Sequence, residues 1–139
     1  MPAFKNTDEI NAVMELLWGT IKDDPGMSSK LIASKLVVRF VYREPEGRLT
    51  VDCSDGKTML VSTGDTSNKP IIEMFMKADV AHEFWLGKVN VPVAILSGKI
   101  VSKGPTPKAL ALLPVIKPAF PMYLDIYETA KKKVASCAE

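Results

Sequence analysis

At 139 residues, 47% of them hydrophobic and 24% charged, the chain has the length of one domain and enough apolar residues for one core. That balance excludes an extended disordered segment. The net charge is only +2, and one histidine and two distant cysteines exclude a site built on several histidines or a Cys-x-x-Cys motif. No Gly-x-Gly-x-x-Gly dinucleotide loop occurs.

Helical periodicity starts at Thr7 and runs to Lys22. Asn6 or Thr7 caps it, Asp8 and Glu9 favour its positive end, and Ile10, Val13, Met14, Leu17 and Ile21 form its apolar stripe. Asp24-Pro25 has the form of an N-cap followed by Pro at the first helical position, opening a short helix that ends near Ser34. Leu36–Glu44 reads as a strand with Val38, Phe40 and Tyr42 alternating with Arg39 and Arg43. Pro45-Glu46-Gly47 turns the chain into a second strand, 48–54, with Leu49, Val51 and Cys53 on one face. Asp55-Gly56 signals a hairpin into a third strand, Thr58–Thr63. A polar loop, Gly64–Lys69, leads to strand four, Ile71–Met76, with Ile72, Met74 and Met76 on one face. These meander connections predict a mainly antiparallel sheet with one polar face.

The stretch from Met76 to Gly104 is the most informative. A short helix begins at Asp79 and stops at Gly87, an apolar helical turn spans Val91–Leu96 and stops at Gly98, and a fifth strand, Lys99–Lys103, ends at Gly104. Each glycine falls where the chain needs a positive φ. This order, with Gly87-Lys88 and then Gly98-Lys99-Ile100-x-x-x-Gly104, resembles the sterol carrier protein 2 (SCP-2) lipid-transfer domain. The resemblance covers nearly the whole chain. It implies an α+β fold over residues 1–139, a five-stranded mainly antiparallel sheet with helices covering one face, enclosing an apolar tunnel. It implies lipid or fatty acyl binding without catalysis and without a cofactor.

Six of the ten prolines lie between positions 92 and 121. Pro105 and Pro107 open a short helix, while Pro114, Pro118 and Pro121 forbid one continuous helix through Ala109–Met122. An apolar segment so often broken suits a lid or cavity wall; in the SCP-2 family this region helps to close the lipid tunnel. A final helix, about Pro121–Ala135, carries Tyr123, Tyr127, Ala130 and Val134 on one stripe.

No residue cluster has an acid–base or nucleophilic look. His82 reads as a solvent-facing helix residue beside Glu83, Cys53 as a buried inert thiol, and Cys137 as part of a fraying tail. Lys131-Lys132-Lys133 reads as a helix C-terminus stabilised by cations. Aromatics are not interleaved with basic residues, so no nucleic-acid partner is expected. What remains is apolar. The candidate ligand-binding residues are Phe40, Met59, Met74 and Met76 on the strands, Phe84, Trp85 and Leu96 on the helical segment, and Leu110, Leu113, Ile116 and Phe120 in the Pro-broken stretch. The alternative is a filled core in an accessory or oligomerisation domain. From Phe84 to Leu124 there is no acidic residue, and Lys88, Lys99 and Lys103 are the candidates for contact with a head group or an anionic membrane. With no apolar leader at the N-terminus and no Ser-Lys-Leu at the C-terminus, the expected location is cytoplasmic.

Overall fold

The structure is a computed structural model that describes residues 2–64 and 69–137. Helix α1, Thr7–Asp23, begins where Asn6 accepts a hydrogen bond from the Glu9 amide. Its stripe of Ile10, Val13, Met14, Leu17 and Ile21 is wholly buried, each side chain contributing about 1.5–3 kcal/mol. Asp24 then caps α2, Pro25–Ala33, accepting from the Gly26 and Met27 amides.

Five strands follow: β1 Val37–Arg43, β2 Gly47–Asp52, β3 Leu60–Thr63, β4 Ile72–Lys77 and, later, β5 Ile100–Lys103. Strands β1, β2 and β3 form the expected meander, with Val38 opposite Val51 and Phe40 opposite Leu49. The turn before β3 is longer than a tight hairpin. Asp55 accepts from the Lys57 and Thr58 amides, Gly56 takes a φ of 70°, and β3 begins only at Leu60. Gly56-Lys57-Thr58 thus lies in a strand–strand turn, without the helix that a phosphate-binding loop opens. The polar loop expected over 64–69 falls, at 65–68, outside the described residues.

The sheet departs from a simple meander at β4. Its order is β3-β2-β1-β4-β5, and β4 lies parallel to β1, with Phe40 opposite Met74 and Tyr42 opposite Met76. The other three pairings are antiparallel, so the sheet is mainly antiparallel as expected. The fold is α+β with a five-stranded mixed sheet. Alternation sends Val38, Phe40, Tyr42, Met74, Met76 and Ile100 toward the helices. On the other face Arg39 Nε donates to Thr50 Oγ1 (3.1 Å) and the Lys103 ammonium lies over the Phe75 ring (4.9 Å).

Beyond β4 come α3, Ala78–Trp85, and α4, Val91–Leu96, then β5. Asp79 stands in the first turn of α3 but does not cap it; its carboxylate accepts from the Ala3 amide instead (2.9 Å). Gly104 closes β5 with a φ of 105°, and a Cβ there would lie 2.2 Å from the Ile71 carbonyl oxygen. The Pro-rich stretch is a chain of short pieces: α5 Thr106–Leu110, α6 Leu113–Ile116 and a 3-10 helix, Lys117–Met122. Helix α7, Tyr123–Cys137, packs along α1 and includes Cys137, the first part of the tail expected to fray. In length and hydropathy Thr106–Ser136 matches a membrane span, yet it is not one regular helix, because prolines at 107, 114, 118 and 121 divide it.

A charge-free cavity between the sheet and a Pro-broken cover

The inner sheet face and the helices do not meet everywhere. Between them lies a narrow cavity of about 80 Å³, below the roughly 300–1,000 Å³ of small-molecule sites, so a long-chain ligand needs the cover to move. Val38, Phe40 and Tyr42 of β1, with Met74 and Met76 of β4, make its floor. The parallel register of β1 and β4 brings these side chains together, because Phe40 and Met74 are direct neighbours, as are Tyr42 and Met76. Trp18 of α1 and Phe84 and Trp85 of α3 make one wall. Trp18 stacks on Phe40 (5.5 Å between centroids) and meets Trp85 edge to face (5.7 Å), a preferred aromatic geometry.

The cover is α5 and α6. Leu110, Leu112 and Leu113 line the cavity while only half-buried, and Ile116 anchors the end of the segment. Helix α5 has no buried residue, and neither α5 nor α6 has a side-chain cap. The packing of the cover is partial: Ala109, Leu110, Leu112, Leu113 and Val115 lie against the core while only half-buried.

Among the described residues, none that lines the cavity is charged. Ser34 is one of its few polar groups, and its hydroxyl is engaged, donating to the Leu31 carbonyl (2.6 Å). Burial, with Asp52 and Asp55 nearby, pushes the Cys53 thiol up to about 11, and burial likewise raises the Tyr42 phenol. Both stay neutral near pH 7. The indole Nε1 of Trp18 is buried and, among the described residues, is the buried side-chain nitrogen or oxygen that lacks a hydrogen-bond partner.

The sequence-derived candidates divide accordingly. Phe40, Met74, Met76, Phe84, Trp85, Leu110, Leu113 and Ile116 line the cavity. Met59 is 1% exposed, packed in the core outside it. Phe120 braces the aromatic wall from behind, edge to face with Phe84 and Trp85. Leu96 points away, 88% exposed at the end of α4. Lys88 and Lys99 are exposed beside α4, whereas Lys103 lies on the outer sheet face over Phe75. Trp18, Leu31, Val91 and Leu112 also line the cavity and were not among the candidates. Their signal was weak because a helical stripe reads as core whether or not a void lies against it.

His82 is the clearest correction. It is half-buried, not solvent-facing. Its Nδ1 lies 2.8 Å from the Tyr123 hydroxyl, and its ring contacts Phe4 and Tyr127. The same cluster holds the N-terminal segment: the Tyr127 hydroxyl donates to the Ala3 carbonyl, and Lys131 donates to Tyr127 and pairs with Glu9 (3.6 Å). Lys131 is therefore tied into the fold, while Lys132 and Lys133 are exposed.

Compared with models of protein families and with curated proteins, the chain finds no match. Compared with solved structures, it is similar to SCP-2 domains. Sterol carrier protein 2 from Yarrowia lipolytica aligns at a TM-score of 0.65 with 16% identity, over 86% of this chain and 98% of that one. The sterol carrier protein domain 2 of Helicoverpa armigera aligns at 0.58 with 20% identity, over 93% and 94%. Palmitated SCP2L2 from Aedes aegypti aligns at 0.52 with 18% identity, over 76% and 92%. The chain therefore has an SCP-2-like fold.

Proposed function

We propose that the chain acts as a single domain over residues 1–139 that takes a lipid or fatty acyl ligand into this cavity and transfers it between membranes, with no bond chemistry and no cofactor. The observation that carries the reading is the cavity itself: apolar, free of charge, and covered by the partly packed α5 and α6. The likeness to palmitated SCP2L2 supports an acyl chain as ligand. Each buried methylene contributes about 0.8 kcal/mol, so a sixteen-carbon tail offers roughly 10 kcal/mol before the costs of association. After those costs, affinity falls on the order of micromolar to submicromolar. Chain-length selectivity is weak, since one methylene changes little.

Loading in this reading proceeds by displacement of Thr106–Ile116, which exposes the Leu110, Leu112 and Leu113 side chains to the entering tail. Exchange takes place at an anionic membrane. Helix α4 offers Val93 (56% exposed) and Leu96 to the lipid, with Lys88 and Lys99 on either side and no acidic residue from 84 to 124. Its buried residue Val91 lines the cavity, so this surface and the ligand share one element. The domain is expected to work in the cytoplasm. Titration with a fluorescent fatty acid tests the reading: saturable one-to-one binding supports it, and absence of binding leaves the alternative, an accessory domain with a filled core.

A further inference from the structure

Ala3 is clasped on both sides by groups of other elements. Its amide donates to the Asp79 carboxylate of α3 (2.9 Å). Its carbonyl accepts from the Tyr127 hydroxyl and from the Lys131 ammonium (3.4 Å), both of α7. Next to it Phe4 is buried, its ring edge to face with His82 (5.8 Å) and with Tyr127 (5.7 Å). The Lys5 amide then donates to Glu9 (3.0 Å), where the segment meets α1. Residues 2–6 thus form a strap, neither helix nor strand, across α3 and α7, with the half-buried His82 ring beneath it.

The charges that bear most on His82 are the ones that hold the strap. Asp79 favours its protonation and Lys131 opposes it; Glu83 and Lys88 act in the same two senses, more weakly. The Tyr123 hydroxyl lies 2.8 Å from Nδ1, the Tyr127 ring packs against the imidazole (4.5 Å), and Glu9 pairs with Lys131 (3.6 Å). A proton on His82 therefore acts on both clasps. The imidazolium draws the Asp79 carboxylate, three residues earlier on the same helix, away from the Ala3 amide. It also repels the Lys131 ammonium at the Ala3 carbonyl. Under Phe4 the new charge is kept from water, and opening relieves that cost. We propose that residues 2–6 are a proton-operated strap, closed over neutral His82 and released from α3 and α7 when His82 is protonated, while the sheet stays folded. The strap works whether or not the cavity holds a ligand, so it stands apart from the carrier reading.

The test is a pH titration of the isotope-labelled full chain by NMR, in which the sole histidine gives one isolated ring resonance. The Ala3 and Phe4 amide signals should move toward unfolded-chain positions with the midpoint of the His82 ring, while those of Phe40 and Met74 in the sheet hold their folded positions. In His82→Gln the Ala3 and Phe4 signals should stay folded across that range. Linkage requires the converse: if protonation opens the strap, loosening the strap eases protonation. Phe4→Ala should therefore raise the His82 midpoint toward the ordinary histidine value of about 6.5. Tyr127→Phe, which keeps the ring and removes one clasp, should move it in the same direction and replaces Phe4→Ala if that variant does not fold. An unmoved midpoint overturns the proposal. So do Ala3 and Phe4 signals that stay folded while His82 titrates, or a sheet that unfolds at the same midpoint.

Discussion

Burial weakens the hold of the His82 ring on a proton, and this gives the fold one acid-sensitive contribution. Desolvation lowers its pKa below the ordinary histidine range, an effect larger than the opposing pull of Asp79. A depressed value means that the unfolded chain binds the proton more readily than the folded one. Stability tied to neutral His82 is therefore complete above about pH 6.5 and is lost as the pH falls through the folded-state value. His82 is the only histidine, so its contribution can be isolated. The melting temperature of the parent protein should fall between about pH 7.5 and 5.5, and His82→Gln should flatten that dependence. Equal slopes would mean that His82 titrates as freely as in a peptide. The sequence hid this residue for a physical reason. Its place on α3, judged alone, faces away from Val80 and Phe84, but Tyr123 and Tyr127 of α7 cover that side. A contact across 41 residues leaves no trace in local periodicity.

Elements were legible wherever the chain must end or turn. The Asn6 and Asp24 caps and the stops at Gly87, Gly98 and Gly104 all appear where their chemistry demanded them. Gly104 carries the heaviest demand, with positive φ and the Ile71 carbonyl where a Cβ would stand. Gly104→Ala should destabilise by roughly 2–4 kcal/mol in denaturant unfolding. Gly19, inside α1 with open space at its Cβ position, should behave in the opposite way. Gly19→Ala should stabilise by about 0.4–1 kcal/mol. Matching effects from the two would contradict the geometry. Strand order was not legible. Alternation fixes which face each side chain takes, but not which neighbour a strand chooses, and the parallel β1–β4 pairing that joins Phe40 to Met74 is set by tertiary packing. Of the strand-face candidates, Phe40, Met74 and Met76 lie on the cavity floor, whereas Met59 does not and Val38 and Tyr42 join it. In the cover, Leu113→Trp should fill space near the mouth and weaken fluorescent fatty acid binding at least tenfold, with the circular dichroism spectrum unchanged. Undiminished binding would place the ligand elsewhere.

At the scale of the whole molecule, acidic charge is absent from the most apolar stretch of the chain. The acid-free stretch 84–124 includes the exposed tip of α4 and the cover, while the acidic residues lie in the rest of the chain. Lys88 and Lys99 flank α4, and each lysine near an anionic surface contributes about 1 kcal/mol, screened within a Debye length. Transfer from this protein to anionic vesicles should exceed transfer to neutral ones at low salt, and Lys88→Gln with Lys99→Gln should remove the difference without altering ligand affinity. Equal rates to both vesicle types in the parent protein would return these lysines to the role of solvated charges. Lys103, turned to the far sheet face, should be dispensable. The central claim, that the space between sheet and cover is a lipid site, is tested most directly by organic extraction of the purified protein followed by mass spectrometry. The account predicts a long-chain lipid recovered in near-stoichiometric amount from the parent protein and depleted in Leu113→Trp. Equal recovery from both, or none from the parent after incubation with mixed-lipid vesicles, would contradict it.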